Sequence, residues 1–409
     1  MVTVQIKQEK ERLQNKLIEK LDYNINLTDD EIAEIIEEEV IMRGRQVYLS
    51  VEDKRMLKKE LFNAFRRLDV LSELLEDENV SEIMINGCEH IFVEKKGELQ
   101  EIGEVFASEE KLRNVIQQIV SSCNRIVNES SPIVDARLTD GSRVNVVLPP
   151  VALDGAVMTI RKFPREYFTM ERLVEMESIT LEAADFLKSL VQAKYNIFVS
   201  GGTGAGKTTL LNVFSNYIPT NERVITIEDS AELQLHGISN LVRLETRNAN
   251  VEGENAINMS ALIKTALRMR PDRIIIGEVR DAAAMDMTNS MLTGHDGSIS
   301  TGHGNSAKEM LLRLETMILM GYDMPILAIR QQLAAAIDII VHIGRLRDNS
   351  RRVLEICEVK GVVNGEIEMQ TIFQFQEYSE TNGKIIGALE RKGDLLHVQK
   401  LQQNRRNSL

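Results

Sequence analysis

The sequence predicts an α/β fold in which two sheet-containing domains follow a helical N-terminus. From Asn196 onward, short apolar runs alternate with helical segments, a pattern typical of buried parallel strands joined by helical crossovers. Upstream, residues 69–165 carry apolar runs separated by hairpin-type turns, which indicates a smaller mixed α/β domain. Residues 1–68 show apolar side chains at helical spacing. A length of 409 residues suits two to three such domains.

Four segments follow from these changes of pattern. Residues 1–68 are predicted as an N-terminal helical domain, with one helix starting after Ser50. Residues 69–165 form the mixed α/β domain. Residues 166–190 hold an amphipathic stretch that serves as a linker or as the start of the next domain. Residues 191–400 then contain the strand–helix alternation.

The composition excludes several classes of protein. The chain has 49 Lys and Arg against 62 Asp and Glu, and a net charge of −13 gives no general attraction to nucleic acid or anionic lipid. Hydrophobic residues make up 43% of the chain, which is enough for real cores and excludes wholesale disorder. No apolar run approaches the roughly 20 residues of a membrane helix, and the polar N-terminus lacks a signal-peptide core. We expect a cytoplasmic protein with no membrane insertion and no nucleic-acid partner.

The strongest motif is a glycine-rich loop between a predicted strand, Ile197–Val199, and a predicted helix, Thr209–Tyr217. The run Gly201–Thr208 matches GxxxxGKT. The glycines let the backbone curl so that its amides point at phosphate oxygens, and the helix N-terminus adds its dipole. In such a loop Lys207 reaches the β- and γ-phosphates, and the Thr208 hydroxyl can ligate Mg²⁺. The predicted nucleotide-binding residues are Gly202, Thr203, Gly204, Ala205, Gly206, Lys207, Thr208 and Thr209.

Acidic residues follow two further apolar runs. Glu278 ends the apolar run that starts at Asp272, and an apolar strand that ends in an acidic residue is the Walker B form. Glu228 and Asp229 follow the second run, Val224–Ile227. Because the carboxyl ends of parallel strands meet at one edge of a sheet, we expect these acids to converge beside the loop. Glu278 is predicted to polarise the attacking water. Glu228 and Asp229 are predicted to support Mg²⁺ through water, and Glu228 is also counted among the catalytic residues.

Two histidines flank the short predicted strand Ser298–Ser300. His303 follows this strand and could approach the γ-phosphate as a sensor, so we include it among the nucleotide-binding residues. His295 precedes the strand. Metal binding by this pair is disfavoured, because the two residues lie eight apart across a strand with no third ligand nearby.

Together these motifs resemble the secretion ATPase superfamily, which powers type II secretion, type IV pili and type IV secretion. The Walker A motif, Asp box, atypical Walker B motif and His box correspond to Gly201–Thr208, Glu228-Asp229, Ile274–Glu278 and Thr293–Ser306. Four further stretches narrow the resemblance to the CpaF/TadA branch, the motors of tight-adherence (Flp) pili: Val134–Asn145, Thr159–Phe163, Ile329–Ala334 and Arg345–Asp348. The resemblance covers about residues 69–375.

The resemblance implies a C-terminal RecA-like P-loop ATPase domain preceded by a PAS-like mixed α/β domain and an N-terminal helical bundle. It implies ATP and Mg²⁺ as cofactors, a homo-hexamer, and a nucleotide that lies between the two α/β domains. It also implies that Arg137, Arg143 and Arg161 of the first domain point towards the phosphates. Guanidinium groups suit that role because they neutralise charge on the transferred phosphoryl group. Which arginine acts across a subunit boundary stays open.

The cysteines bear on the choice of branch. The type II secretion branch often carries a four-cysteine zinc module, whereas this chain has only three scattered cysteines, Cys88, Cys123 and Cys357. None forms a CxxC pair, so neither a zinc site nor a disulfide framework is indicated. The resemblance therefore favours the pilus-motor or type IV secretion side.

The sequence thus predicts an ATP-hydrolysing motor that drives pilus assembly or protein secretion through a platform protein at the inner face of the cell membrane. Hydrolysis would change the angle between the domains through a hinge at Phe163–Arg172. A type IV secretion ATPase remains an alternative. A nucleotide-gated scaffold with negligible turnover is opposed by the presence of all the predicted acidic residues, Glu228, Asp229 and especially Glu278. A GTPase is opposed because the sequence contains no NKxD-type motif for reading guanine. A nucleic-acid translocase is opposed because aromatic residues, which stack on bases, make up only 4% of the chain.

Overall fold

The computed structural model of the chain divides into two compact units, Met1–Arg165 and Glu166–Leu409. The residues it describes are 9, 12, 13, 16, 17, 29–66, 68, 70–95, 97–123, 125–138, 140–163, 168–247 and 255–407. Within these ranges, no helix is both long and apolar enough to span a bilayer. The predicted hinge at Phe163–Arg172 includes residues 164–167, which lie outside the described residues. The subdivision of the chain into four segments stays a prediction.

The first unit combines helices with an antiparallel sheet. Its helices are α1 (Asp29–Gly44), α2 (Val51–Arg66), α3 (Leu71–Glu76) and α4 (Glu109–Ser122). Its strands are β1 (Val80–Asn86), β2 (His90–Lys95), β3 (Glu98–Ile102), β4 (Ile133–Arg137), β5 (Arg143–Val147) and β6 (Val157–Arg161). The strand order in the sheet is β3-β2-β1-β6-β5-β4.

Helix α2 begins where its sequence signal predicts. Ser50 caps it, because the Asp53 amide donates to Ser50 Oγ at 3.0 Å and the Ser50 amide donates to Asp53 Oδ2 at 2.9 Å. This reciprocal pair satisfies two amides that would otherwise lack partners at a helix start. Helices α1 and α2 share a small core, to which Ile36, Leu57 and Leu61 contribute fully buried side chains. The helix predicted after Ser50 is therefore confirmed.

One face of the six-stranded sheet packs on α4. Leu112, Ile116 and Ile119 point from this helix into a core shared with alternate residues of the central strands. The hairpin-type turns predicted within residues 69–165 are confirmed, since β1 pairs with β2 and β4 pairs with β5 in antiparallel register. The sequence did not indicate β3, because four of its five residues are exposed and it carries no apolar alternation.

The second unit contains the larger sheet. Its helices are α5 (Met170–Glu175), α6 (Leu181–Gln192), α7 (Lys207–Ser215), α8 (Met259–Ala266), α9 (Ala283–Leu292), α10 (Ala307–Leu319), α11 (Ile326–Ala336) and α12 (Gln399–Asn407). Its strands are β7 (Ile197–Gly201), β8 (Arg223–Glu228), β9 (Asn240–Glu245), β10 (Arg273–Ile276), β11 (Ile299–His303), β12 (Ile339–Arg345), β13 (Arg351–Val363), β14 (Glu366–Thr381) and β15 (Lys384–Arg391).

This sheet has a parallel half and an antiparallel half, in the order β15-β14-β13-β12-β7-β11-β10-β8-β9. Strands β7 to β12 pair in parallel, whereas β13, β14 and β15 extend the sheet as antiparallel hairpins. The predicted parallel strands with helical crossovers are confirmed. The sequence did not indicate strands β9 and β15. Both lie at the edges of the sheet, and their buried and exposed residues alternate only in part, so their hydrophobic period is weak.

Helices cover both faces of the parallel half, so the central strands are buried on both sides. Strands β7 and β10 consist of buried residues throughout. Residues 170–192 belong to this core, since Met170, Leu187 and Leu190 are buried within it. The part of segment 166–190 that the structure describes is therefore the start of the second unit and not a free linker.

Candidate nucleotide-binding site

The glycine-rich loop connects β7 to α7 at the carboxyl edge of the parallel strands. Gly204 and Gly206 have φ values of 68° and 103°, which L side chains rarely adopt, so these two positions require glycine. Gly201 is required for a different reason. A Cβ at this position would lie 2.4 Å from the Ile343 carbonyl oxygen of the neighbouring strand β12. The start of the loop is thus pressed against β12, with no space for a side chain at Gly201.

Lys207 lies inside the loop and is almost fully buried. Its Nζ donates to the carbonyl oxygens of Gly201 and Gly202 at 3.1 and 3.0 Å, and it lies 3.3 Å from His303 Nδ1. Burial lowers the pKa of Lys207, and Glu278 opposes that shift. The ammonium group therefore already lies where a loop lysine meets phosphate, with loop carbonyls satisfying its donors.

Glu278 is held by two basic side chains. Its Oε2 accepts a hydrogen bond from Arg280 Nη2 at 2.7 Å. Its Oε1 lies 2.7 Å from His303 Nε2, although the two atoms are not aligned as a hydrogen bond. Burial and the nearby Lys207 lower the pKa of His303, which favours a neutral ring whose Nδ1 accepts from Lys207. Lys207, His303 and Glu278 therefore form one contact chain.

The register of the parallel strands explains why residues far apart in sequence meet in this contact chain. In the parallel sheet His303 pairs with Gly201, so the end of β11 lies directly beside the start of the loop. Likewise, Ile276 of β10 pairs with Ile227 of β8, which brings Glu278 and Glu228 to the same edge. The structure thus brings together the loop, both predicted acidic strand ends and His303.

Glu228 is more buried than its position after a strand suggests. Its side chain is about 3% exposed, and Oε2 accepts hydrogen bonds from the amides of Glu232 at 2.7 Å and Leu233 at 2.9 Å. Burial raises the pKa of Glu228 to about 7, against the lowering effect of these amide bonds. Among the described residues, Glu228 Oε1 has no hydrogen-bond partner although it is buried. This oxygen is available for a water or for a hydrated cation.

Asp229 lies at the same edge but is more open. Its side chain is 44% exposed, and its Oδ2 lies 3.9 Å from Arg280 Nη1. Thr246 Oγ1 donates to its Oδ1 at 3.4 Å. Arg280 therefore lies between the two acidic strand ends, paired closely with Glu278 and loosely with Asp229. The described residues contain no cluster of three or more His, Cys, Asp or Glu side chains with metal-site geometry.

The three predicted arginines form a row in the first unit. Arg137 pairs with Arg143 across β4 and β5, and Arg143 pairs with Arg161 across β5 and β6. Residues directly opposite on neighbouring strands share a face, so the three side chains leave the same side of the sheet. Arg137 is braced by the Gly141 carbonyl, to which its Nε donates at 3.1 Å, and by the Phe163 ring.

Sequence reasoning missed Arg280 and Arg351 as members of the site. Arg280 stands only two residues after Glu278, and its basic charge beside the predicted catalytic acid was an available signal. Arg351 donates from Nε to the Gly204 carbonyl oxygen at 2.8 Å across 147 residues of sequence. No local pattern could have indicated that contact, because it depends on the pairing of β12 with β13 beside the loop.

His342 lies beneath the loop and makes a pH-dependent contribution to stability. Its Nδ1 lies 3.2 Å from the hydroxyl of Ser200, the residue before Gly201. Burial lowers the pKa of His342 from 6.5, and the charges of Glu355 on β13 and Glu309 on α10 oppose this shift. A base with a lowered folded-state pKa stabilises the fold fully above its unfolded pKa. That contribution is lost as the pH falls below about 6.5.

We expect His342→Gln to weaken the acid sensitivity of folding, because glutamine keeps a polar partner for Ser200 and does not titrate. Between about pH 8 and about pH 5, the free energy of unfolding should fall more for the unsubstituted protein than for the variant. Denaturant titrations of both proteins at each pH measure this difference. Equal losses in the two proteins would contradict the assignment to His342.

A glycine-rich loop at the carboxyl edge of a parallel sheet, with acids on two neighbouring strand ends, defines a RecA-like P-loop fold. A family model described as "Type II/IV secretion system protein" matches residues 66–397 of the chain. The chain therefore belongs to the type II/IV secretion system protein family.

Individual relatives agree with this assignment. The conjugal transfer protein TrbB of Rhizobium radiobacter is 32% identical over 316 residues, which cover 76% of this chain and 93% of TrbB. The type IV secretion system protein PtlH of Bordetella pertussis is 31% identical over 318 residues, covering 71% and 93% of the two chains. Because these relatives carry conjugal transfer and type IV secretion names, the tight-adherence branch stays a prediction.

Solved structures show the same fold. The pilus retraction motor PilT, solved with bound ADP, superposes with a TM-score of 0.53 and 18% identity over 84% of this chain and 86% of PilT. The ATPase DotB of Legionella pneumophila gives a TM-score of 0.51 and 23% identity over 71% and 79% of the two chains. At these identities the likeness concerns the mixed α/β architecture alone.

Proposed function

We propose that this protein is an ATP-hydrolysing motor subunit of a secretion or pilus machine. The observation that carries the proposal is the contact chain Lys207–His303–Glu278 at the glycine-rich loop. It joins the group that binds phosphate, the group that senses it and the group that activates water. Membership of the type II/IV secretion system protein family supports the assignment to a secretion machine.

Hydrolysis requires this contact chain to open. Phosphate oxygens of ATP would replace the carbonyls of Gly201 and Gly202 as acceptors for Lys207. His303 would then turn from Lys207 towards the γ-phosphate, which leaves Glu278 Oε1 free. Glu278 would take a proton from water as the water oxygen attacks the γ-phosphorus, and the products are ADP and phosphate. Arg280 keeps the other carboxylate oxygen oriented.

The residues around the loop fit a magnesium ion. The Thr208 hydroxyl is placed in the first turn of α7, and the buried Glu228 Oε1 has no hydrogen-bond partner within the described part of the chain. Thr208 would hold Mg²⁺ directly, with Glu228 and Asp229 acting through water. When bound, Mg²⁺ neutralises phosphate charge. A nearby divalent cation would also favour the ionised form of Glu228.

We propose that the arginine row of Arg137, Arg143 and Arg161 supplies further positive charge to the phosphates. Their position on one face of the sheet, directly opposite one another on β4, β5 and β6, supports this role. Whether each arginine serves its own subunit or a neighbouring one is decided by the assembly. We propose a homo-hexamer, on the resemblance to the secretion ATPases.

The machine driven by the motor is proposed to lie at the inner face of the cell membrane, with contact through a platform protein. Tight-adherence pilus assembly is favoured by the motifs around Arg137 and Arg345. Type IV or conjugal transfer is the second candidate, favoured by the names of TrbB and PtlH. Introducing Glu278→Gln into the native gene separates the two. Loss of surface pili supports the first, and loss of transferred DNA or protein with pili retained supports the second.

Steady-state ATP hydrolysis across a range of protein concentrations tests the proposed motor directly. We expect the rate per subunit to rise with concentration, because sites completed by neighbours require assembly. A nucleotide-gated scaffold would instead bind ATP with negligible turnover at every concentration. That result, repeated in the presence of membranes from the native host, would overturn the proposal.

We expect Lys207→Ala to lose nucleotide binding, because the variant removes the cation that the loop presents to the β- and γ-phosphates. The dissociation constant for a fluorescent ADP analogue should rise at least about tenfold, as expected for a charge-assisted bond to phosphate. Lys308→Ala is the matched control, since Lys308 is exposed on α10. Equal affinities in the two variants would exclude the loop as the nucleotide site.

A further inference from the structure

Arg351 contacts the glycine-rich loop from outside. It opens β13, and its Nε donates to the Gly204 carbonyl oxygen at 2.8 Å. Gly204 is one of the two loop residues with positive φ, so its peptide orientation determines where the next amides point. A donor on this carbonyl holds it away from the phosphate cradle, which leaves the amides free to face inward.

The same hairpin supports the loop from below. Ile343, on β12, places its carbonyl oxygen against Gly201 and its Cδ1 near Gly206. The Cδ of Arg351 also lies close to Gly206, at 3.7 Å from the position of a Cβ there. The loop therefore rests on the β12–β13 hairpin at its start, its apex and its end.

The turn of this hairpin is tied to the outer antiparallel strands. Asp348 Oδ2 accepts the Ile385 amide of β15 at 2.8 Å. Arg347 donates to Glu377 and Glu380 of β14, with bonds of 2.8 and 2.9 Å. A change at the Gly204 carbonyl is thus connected through Arg351 to a braced turn and then to β14 and β15.

We propose that Arg351 is a positioning residue that holds the glycine-rich loop in its phosphate-binding shape and passes nucleotide occupancy to the outer antiparallel strands. The proposal rests on the proposed nucleotide site at the loop. Arginine suits the role because its planar guanidinium presents its donors in a fixed fork, whereas a lysine ammonium is a compact point charge on a flexible stem. Arg351 acts through the loop backbone, so we expect its replacement to change nucleotide affinity more than the turnover rate.

Arg345 provides a matched control. It pairs directly with Arg351 in the β12–β13 register, carries the same charge and is exposed. Replacing either residue by methionine removes one positive charge from the same hairpin and keeps most of the side-chain length. Of these two arginines in the described part of the chain, Arg351 is the one that donates to Gly204, so the two variants separate the hydrogen bond from the general electrostatic effect.

The test measures the affinity of the full chain for a fluorescent ADP analogue. We expect Arg351→Met to raise the dissociation constant about fivefold, the effect of an exposed hydrogen bond to a charged donor. Arg345→Met should stay within about twofold of the unsubstituted protein. Arg351→Lys should lie between them, and kcat should change less than KM in all three. The thermal unfolding midpoints of the three variants should match that of the unsubstituted protein.

Hydrogen exchange gives the second readout, which a merely structural role would not change. ADP should slow amide exchange in the turn Leu346–Ser350 of the unsubstituted protein and of Arg345→Met, but not of Arg351→Met. Equal affinities and equal exchange in the two methionine variants would overturn the role of Arg351 and leave the nucleotide site intact. Failure of the unsubstituted protein to bind the ADP analogue would overturn the proposed function itself.

Discussion

Glu278→Gln is expected to reduce ATP turnover by at least about 100-fold, while ATP binding is retained. Glutamine keeps the size of the side chain and can still accept from Arg280, whose Nη2 lies 2.7 Å from Glu278 Oε2. It has no carboxylate to take a proton from water. Steady-state phosphate release measures the turnover, and a fluorescent ATP analogue measures binding.

Asp281→Asn is the matched control for this substitution. Asp281 lies three residues after Glu278, is exposed, and accepts the Ala283 amide through Oδ1 at 2.8 Å. Asparagine preserves that acceptor and removes one negative charge from the same segment. Turnover within about twofold of the unsubstituted protein is expected for the control. A Glu278→Gln variant with undiminished turnover would show that another group activates the water.

Breaking the buried Arg273–Glu222 pair is expected to cost about 3 kcal/mol of unfolding free energy. Arg273 is fully buried at the start of β10, and its Nε lies 2.5 Å from Glu222 Oε2. Its Nη1 donates to the Val191 carbonyl at 2.7 Å. Glu222→Gln leaves the guanidinium charge without its carboxylate in a site closed to water. Denaturant titration at neutral pH measures the loss.

Two comparison variants make this expectation specific. The double substitution Glu222→Leu with Arg273→Met removes both charges, and it should be more stable than Glu222→Gln alone. Glu175→Gln breaks the exposed pair with Arg172 and should cost less than about 0.5 kcal/mol. If Glu222→Gln cost no more than Glu175→Gln, the buried pair would not stabilise β10, the strand that precedes Glu278.

Local patterns predicted the parts of the fold whose signals lie within a few residues. The GxxxxGKT run, the buried strands β7 and β10 and the hairpins of the first unit all carry such signals, and the structure confirms them. Edge strands were not predicted, and the reason is physical. Strand β3 has one face in solvent and a polar sequence, so no hydrophobic period marks it.

The candidate site was predicted in part for the same reason. Lys207, Glu278 and His303 each stand at a strand end or in a loop, and parallel strands bring those ends to one edge. The burial of Glu228 was not predictable, because it depends on the amides of Glu232 and Leu233 folding back onto its carboxylate. Its raised pKa follows from that burial.

The sequence by itself determined that the chain has a P-loop between a strand and a helix, acids at two strand ends and an α/β architecture. Those features depend on short-range spacing, which the chain carries whatever its surroundings. Only the tertiary structure decided that Arg280 holds Glu278, that Arg351 holds the loop at Gly204 and that three arginines share one row. Such contacts depend on strand order and register, because pairing across the sheet joins residues that no local pattern relates.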